Sequence, residues 1–219
     1  KMATDYGFSI SIDLIYGLPK SDLISLQQNL AKAITLNPDH ISAYCLTIEP
    51  KTALHSWVKK GKMDVPSSDE QADQFSALVG HLKDAGYEQY EISNFAKAHK
   101  YARHNSNYWK GKHYLGIGPS AHSFNGRERR WNIANNTGYI KAIQAGSIHF
   151  EQETLSAEDQ FNEMIMTGLR TTWGVDLDKL SSIHTLTDEF KMRFSHETYK
   201  NDIWKIQGAL REIRRKKKA

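Results

Sequence analysis

The stretch SISIDLIYGLPKSDLISLQQNLAKAITLNPDHISAYCLTI, residues 9–48, reads strand, helix, strand. Residues 9–18 are β-branched and apolar with one acid inside, which predicts a buried parallel strand. Pro19 stops it. Ser21 is placed to cap a helix whose apolar face is Leu23, Leu26, Leu30 and Ile34, at steps of three and four. Asn37-Pro38 closes that helix, and residues 40–48 form a second apolar strand. Two strands joined by a helix of about 14 residues make a βαβ unit. Two parallel strands cannot cover themselves, so the unit asks for more sheet.

Downstream, Lys51 to Ser67 is polar and contains Gly61 and Pro66, and reads as a loop. Ser68-Asp69-Glu70-Gln71 has the form of a capping box. The helix it opens buries Phe75, Leu78, Val79 and Leu82, and Gly86 ends it. Tyr87 to Phe95 is extended, residues 96–113 are polar and aromatic, and residues 114–124 read as a strand. Asn125 to Gly138, rich in Asn, Arg and Gly, reads as a loop. Ser156-x-x-Asp159 opens another helix, with Phe161, Ile165 and Leu169 on one face and Gly174 beyond its end. Past Leu177 the helical pattern weakens. Composition shifts near residues 145–155, which divides the chain into domains 1–150 and 151–219. There are no internal repeats.

The 219 residues are 39% hydrophobic and 25% charged, which excludes a disordered or collagenous chain. No run of about 18 apolar residues predicts a membrane span. The opening KMATDYGFSI has no apolar signal core, so no secretion signal is expected. Cys45, the single cysteine, excludes an intramolecular disulfide and suggests a reducing, cytoplasmic location. The net charge of +4 belongs to the run Arg214, Arg215, Lys216, Lys217, Lys218. Without it Lys plus Arg falls from 29 to 24 against 25 acids, a net of −1. Such a run suits a solvated helix end better than a nucleic-acid surface.

Four constellations are candidates for chemistry. Asp13 lies between Ile12 and Leu14, and an acid at the end of a parallel strand faces a ligand or bonds a neighbouring loop. His104-Asn105-Ser106-Asn107-Tyr108-Trp109 combines an imidazole with flat aromatics that stack on planar ligands. The bland alternative is a polar loop with two anchoring aromatics. His99, His104, His113 and His122 lack zinc-finger spacing. Gly116-x-Gly118-x-x-Ala121 fails as a dinucleotide fingerprint, because Pro119 precludes the helix and no acid follows about 20 residues on. No nucleophile elbow is present.

Five blocks read together carry a resemblance: DLIYGLP (13–19), HISAYCLTIEP (40–50), GYEQYEISNFA (86–96), HNSNYW (104–109) and YLGIGPSAHSF (114–124). The chain resembles the radical S-adenosylmethionine proteins related to oxygen-independent coproporphyrinogen III oxidase, and looks closest to their HemW-type heme-chaperone branch. The resemblance implies an α/β fold: the C-terminal part of a partial (βα)6 barrel, followed by a mainly helical C-terminal domain. In that family C-x-x-x-C-x-x-C holds a [4Fe–4S] cluster. This sequence holds only Cys45, so neither cluster nor S-adenosylmethionine is expected bound here, and the chain looks like part of a longer protein.

Carried over by motif, Asp13, Ile15, Thr47 and His122 match positions beside S-adenosylmethionine. His104, Asn105, Tyr108 and Trp109 match the heme-associated H-N-x-x-Y-W motif. His104 is then the candidate heme-iron ligand, with His99, His113 and His122 as competitors, and Arg103 a candidate partner for a heme propionate. The expected function is to hold heme and hand it to an acceptor protein. The alternative is oxidative decarboxylation of coproporphyrinogen III to protoporphyrinogen IX in heme biosynthesis, and the third reading is an inactive α/β fragment. No nucleic-acid partner is expected, and an exposed barrel edge would favour self-association.

Overall fold

A computed structural model of the chain describes residues 5–188. Its contacts divide after Ala102 into two compact units. The composition shift falls elsewhere, and paired strands run across it (below).

The first unit holds the βαβ element. Strand β1 (Ser11–Tyr16) and β2 (His40–Cys45) pair in parallel, from Ser11 opposite His40 to Tyr16 opposite Cys45. Helix α1 (Leu23–Thr35) connects them. Two further strands, β3 (Glu88–Glu91) and β4 (Asn94–Ala96), extend the sheet antiparallel in the order β1-β2-β4-β3. The βαβ unit thus finds its further sheet in a hairpin.

Helices α1 and α3 (Ser68–Asp84) cover one face of the sheet. Tyr16, Ile41, Ala43 and Phe95 from the strands meet Leu26, Leu30, Phe75, Leu78 and Leu82 from the helices. Tyr16 stacks on Phe75 with ring centroids 6.0 Å apart.

The opposite face corrects the expectation of a fully buried β1. Ser11, Asp13 and Ile15 alternate out of the core and are exposed, Ile15 by 52%. Alternation at period two sends them away from the helices, as in a strand with one covered face.

Local corrections follow from hydrogen bonds. Asp22, not Ser21, caps α1: its side chain accepts from Ser25 N at 2.8 Å. Ser67, not Ser68, caps α3 and exchanges bonds with Glu70. Gln71 is one residue too late for the box; its amide donates to Pro66 O. The segment read as loop contains helix α2 (Ala53–Lys59), capped by Thr52.

The second unit is built on an antiparallel sheet, β5 (His122–Phe124), β6 (Glu128–Asn132) and β7 (Phe150–Thr154), in that order. Helix α4 (Arg103–Trp109) precedes it, α5 (Asn136–Gln144) lies between β6 and β7, and α6 (Ala157–Gly168) and α7 (Leu177–Ser181) follow. Residues 125–138 are therefore not one loop. Asn125 Oδ1 accepts from Arg127 N and Glu128 N, at 3.1 and 2.7 Å, and turns the chain into β6. Of residues 114–124, only 122–124 form a strand, with Tyr114 bridging to Phe124. The box Ser156/Asp159 opens α6 as its spacing predicts. The weakly helical segment past Leu177 begins with α7; the rest of it past residue 188, and the run 214–218, lie outside the described residues.

Candidate functional site

HNSNYW is helical. The 3.6-residue repeat puts His104 and Tyr108 on one face of α4, where their rings meet edge-to-face at 4.9 Å. Asn105 and Trp109 share the neighbouring face and are half-buried. Ser106 is buried. The ring contacts continue from Tyr108 to Tyr114 at 4.7 Å and from Tyr114 to Phe124 at 5.9 Å. An aromatic row thus runs from the motif to the sheet.

That row borders a cavity of about 520 Å³. Tyr108, Trp109, His113, Tyr114 and Phe124 form one side, and Met164 and Met166 of α6 lie on another. At its polar edge Arg129 donates two bonds of 2.9 Å to the Glu163 carboxylate and one of 3.3 Å to Glu153. The bidentate bond to Glu163 raises the Arg129 guanidinium further above its ordinary pKa, so it is always charged. The His113 Nε2 lies 2.8 Å from where a Cβ at residue 126 would stand, and Gly126 has φ of 93°. Only glycine permits both the turn and this close approach.

Of the four motif residues, Tyr108 and Trp109 wall the cavity. His104 and Asn105 do not, and His104 is exposed. His113, with no motif around it, does line the cavity. Met164, Arg129 and Glu163 come from distant sequence and carry no local signal of a site. His122 is exposed and stacked on Trp131 at 5.9 Å, and so turned to its own sheet.

Asp13, Ile15 and Thr47 belong to the first unit, and all three are exposed. Asp13 is thus no buried acid among apolar neighbours. It stands opposite Ser42, and Ile15 opposite Tyr44. Beside them Ser11 Oγ and His40 Nδ1 are 2.8 Å apart, and His40 Nε2 and Tyr90 Oη also 2.8 Å. This chain of polar groups was not foreseen; a histidine opening an apolar strand was its one signal.

The donor set does not fit an iron–sulfur cluster. Such a site needs several thiolates. Cys45 is the only cysteine of these 219 residues, and its thiol donates to Gln71 Oε1 at 3.4 Å. Among the described residues no group of three or more His, Cys, Asp or Glu is placed to hold a metal ion. The exposed face of β1 presents a carboxylate, Asp13, and an apolar side chain, Ile15. Among the described residues no helix is long and apolar enough to cross a membrane.

No family model matches the chain. It is similar to the heme chaperone HemW of Bacillus subtilis strain 168, 35% identical over 175 residues, which are 79% of this chain and 46% of that protein. HemW of Mycobacterium tuberculosis H37Rv is 32% identical over 80% of this chain and 46% of its own length. A Danio rerio protein, radical S-adenosyl methionine domain-containing protein 1, mitochondrial, is 33% identical over 76% of this chain and 39% of its own. A solved structure described as the Escherichia coli coproporphyrinogen III oxidase HemN, a radical SAM enzyme, matches 82% of this chain and 44% of that one. Its TM-score is 0.65 at 22% identity, a likeness of fold. The chain spans about half the length of the curated relatives it matches. Its five sequence blocks, its parallel βαβ sheet and these relatives agree: over about half of their length the chain is similar to the HemW heme chaperones and related radical S-adenosylmethionine proteins.

Proposed function

We propose that this chain contributes to binding heme and passing it to an acceptor protein. The observation that carries the reading is the cavity walled by Tyr108 and Trp109, the last two residues of HNSNYW, in a chain whose curated relatives are named heme chaperones. Its volume of about 520 Å³ lies within the usual range of ligand cavities, roughly 300–1,000 Å³. Flat aromatic walls suit a macrocycle, and an imidazole suits its iron. Two imidazoles compete: His104, in the motif and exposed, and His113, in the cavity wall.

Hemin is the cargo here, and the chain's own residues do three things. Tyr108 and Trp109 bed the ring, an imidazole holds the iron, and Met164 and Met166 exclude water from the apolar side. The lone thiol favours a reducing compartment, and we place the protein in the cytoplasm. We also assign residues 1–150 to the barrel-derived part and 151–219 to the C-terminal domain by ancestry, a division separate from that of the contacts. The rival reading is coproporphyrinogen oxidation; the names of the curated relatives, heme chaperones, favour the first.

Titration of hemin into the native chain, His104→Ala and His113→Ala, followed at the Soret band, tests the assignment. Loss confined to His104→Ala supports the motif histidine. Loss confined to His113→Ala moves the ligand to the cavity wall. An identical spectrum and affinity in both variants removes both imidazoles from the iron and refutes the site.

A further inference from the structure

Helix α4 ends at Trp109, and the chain continues Lys110-Gly111-Lys112. Beside this turn lies a second cavity of about 490 Å³. It shares Trp109, Gly111, Met164, Thr167 and Lys179 with the larger one. Its walls carry Trp109 and Trp173, three lysines (110, 112 and 179), and a single acid, Asp176.

The charges are unbalanced. Among the described residues none of the three lysines forms an ion pair. The Lys110 ammonium lies over the Trp173 ring, 4.1 Å from its centre. Asp176 is one acid against three cations, and its carboxylate accepts from Lys179 N at 2.9 Å and caps α7. Solvated surface lysines would need no indole walls. A phosphate site would need donors but no flat apolar face. A cavity that joins three cations without a carboxylate partner to two indoles and a methionine suits a ligand with a flat apolar body and an anionic edge. Arg103, at the far end of α4, is not among its walls.

We propose that Lys110, Lys112 and Lys179 form a carboxylate-binding mouth for a planar aromatic acid whose ring lies against Trp109. The choice of a porphyrin as that acid rests on the heme reading above; the mouth itself does not. The three ammonium groups would face the propionate edge, and the larger cavity would take the opposite, apolar edge.

The test compares the native chain with a triple variant, Lys110→Gln, Lys112→Gln, Lys179→Gln. A control of equal charge carries Lys20→Gln, Lys32→Gln, Lys62→Gln in the first unit, and circular dichroism checks that both variants fold. Each is titrated with protoporphyrin IX and its dimethyl ester, and with 1-pyrenebutyrate and 1-pyrenebutanol, read by fluorescence. Three charge-assisted contacts at an exposed mouth predict about tenfold weaker binding of the free acids by the triple variant. The ester and the alcohol should bind all three proteins alike, and added salt should weaken only the acids. Porphyrin binding that the triple variant leaves unchanged, or equal losses for acid and ester, overturns the mouth and leaves the heme reading standing. Lysine-dependent binding of pyrenebutyrate without porphyrin binding upholds the mouth and refutes the heme reading. No binding of either acid overturns both.

Discussion

His40 is buried between two hydroxyls, Ser11 on one side and Tyr90 on the other. Burial holds its pKa below the ordinary histidine value, while the Asp13 carboxylate pulls weakly the other way. Tyr90, itself buried, is pushed up to about 12 and stays a neutral hydroxyl. The sign follows. The unfolded chain takes up a proton at position 40 more readily than the folded one, so folding is favoured above the free histidine pKa of about 6.5 and loses that contribution as pH falls through the lowered value. We expect the urea midpoint to drop between pH 7.5 and 5.5, with a smaller drop in His40→Gln. Equal drops in both proteins would assign the titration elsewhere. The polar row Ser11–His40–Tyr90 joins β1, β2 and β3 on the side away from α1 and α3, which gives His40 a structural role that the apolar run of residues 40–48 did not advertise.

Helices α1, α3 and α6 each begin on a reciprocal capping box, and the acceptor carboxylates of Asp22, Glu70 and Asp159 sit below their ordinary pKa because backbone and side-chain donors from their caps stabilise the charge. The pattern S/T-x-x-E identifies the start of α3 only to within one residue, since Ser67 and Ser68 both precede an acceptor three positions on. The structure selects Ser67, whose extended backbone (φ −60°, ψ 166°) leaves its hydroxyl free to meet Glu70 N. Ser67→Ala should therefore cost about 1 kcal/mol, and Ser68→Ala, already inside the helix, a few tenths or less. Chemical denaturation of the two variants reads this directly, and a larger loss from Ser68→Ala would return the cap to that residue.

Among the described residues β1 has one neighbour, β2, and stands at the edge of its sheet. Its exposed side carries Ile15, which pairs in register with the 43% exposed Tyr44 of β2, while Tyr6 and Phe8 just before it are also exposed. Unpaired backbone beside apolar side chains recruits further strands. We expect concentration-dependent association in sedimentation velocity, weakened by Ile15→Lys, whose charge opposes edge pairing. A monomer at every concentration, in the native chain and the variant alike, refutes this. The shared fold with HemN is compatible with such an edge, because the chain covers 44% of that structure.

Local periodicity alone was enough for the βαβ unit, for α3 and for α6: apolar residues at steps of three and four, bounded by caps and glycines, leave few alternatives. The five blocks 13–19, 40–50, 86–96, 104–109 and 114–124, read together, were likewise sufficient for the resemblance. Short or amphiphilic pieces were not legible. Helix α2, without a buried residue, and α4, two turns of polar and aromatic side chains, lack a stripe; strand β6, with two arginines, lacks an apolar run. These form because neighbouring strands and rings supply partners distant in sequence, as β7 does for β6 and Tyr114 for Tyr108. For the same reason Asp13 read as buried: a run of Ile, Leu and Tyr does not say which face the helices cover. Packing against α1 and α3 settled that, and the folding of residues 103–188 settled which of the motif's side chains, with His113, Met164 and Lys179, wall a cavity. Burial and convergence are properties of pairs far apart in the chain, and only the tertiary structure brings such pairs together.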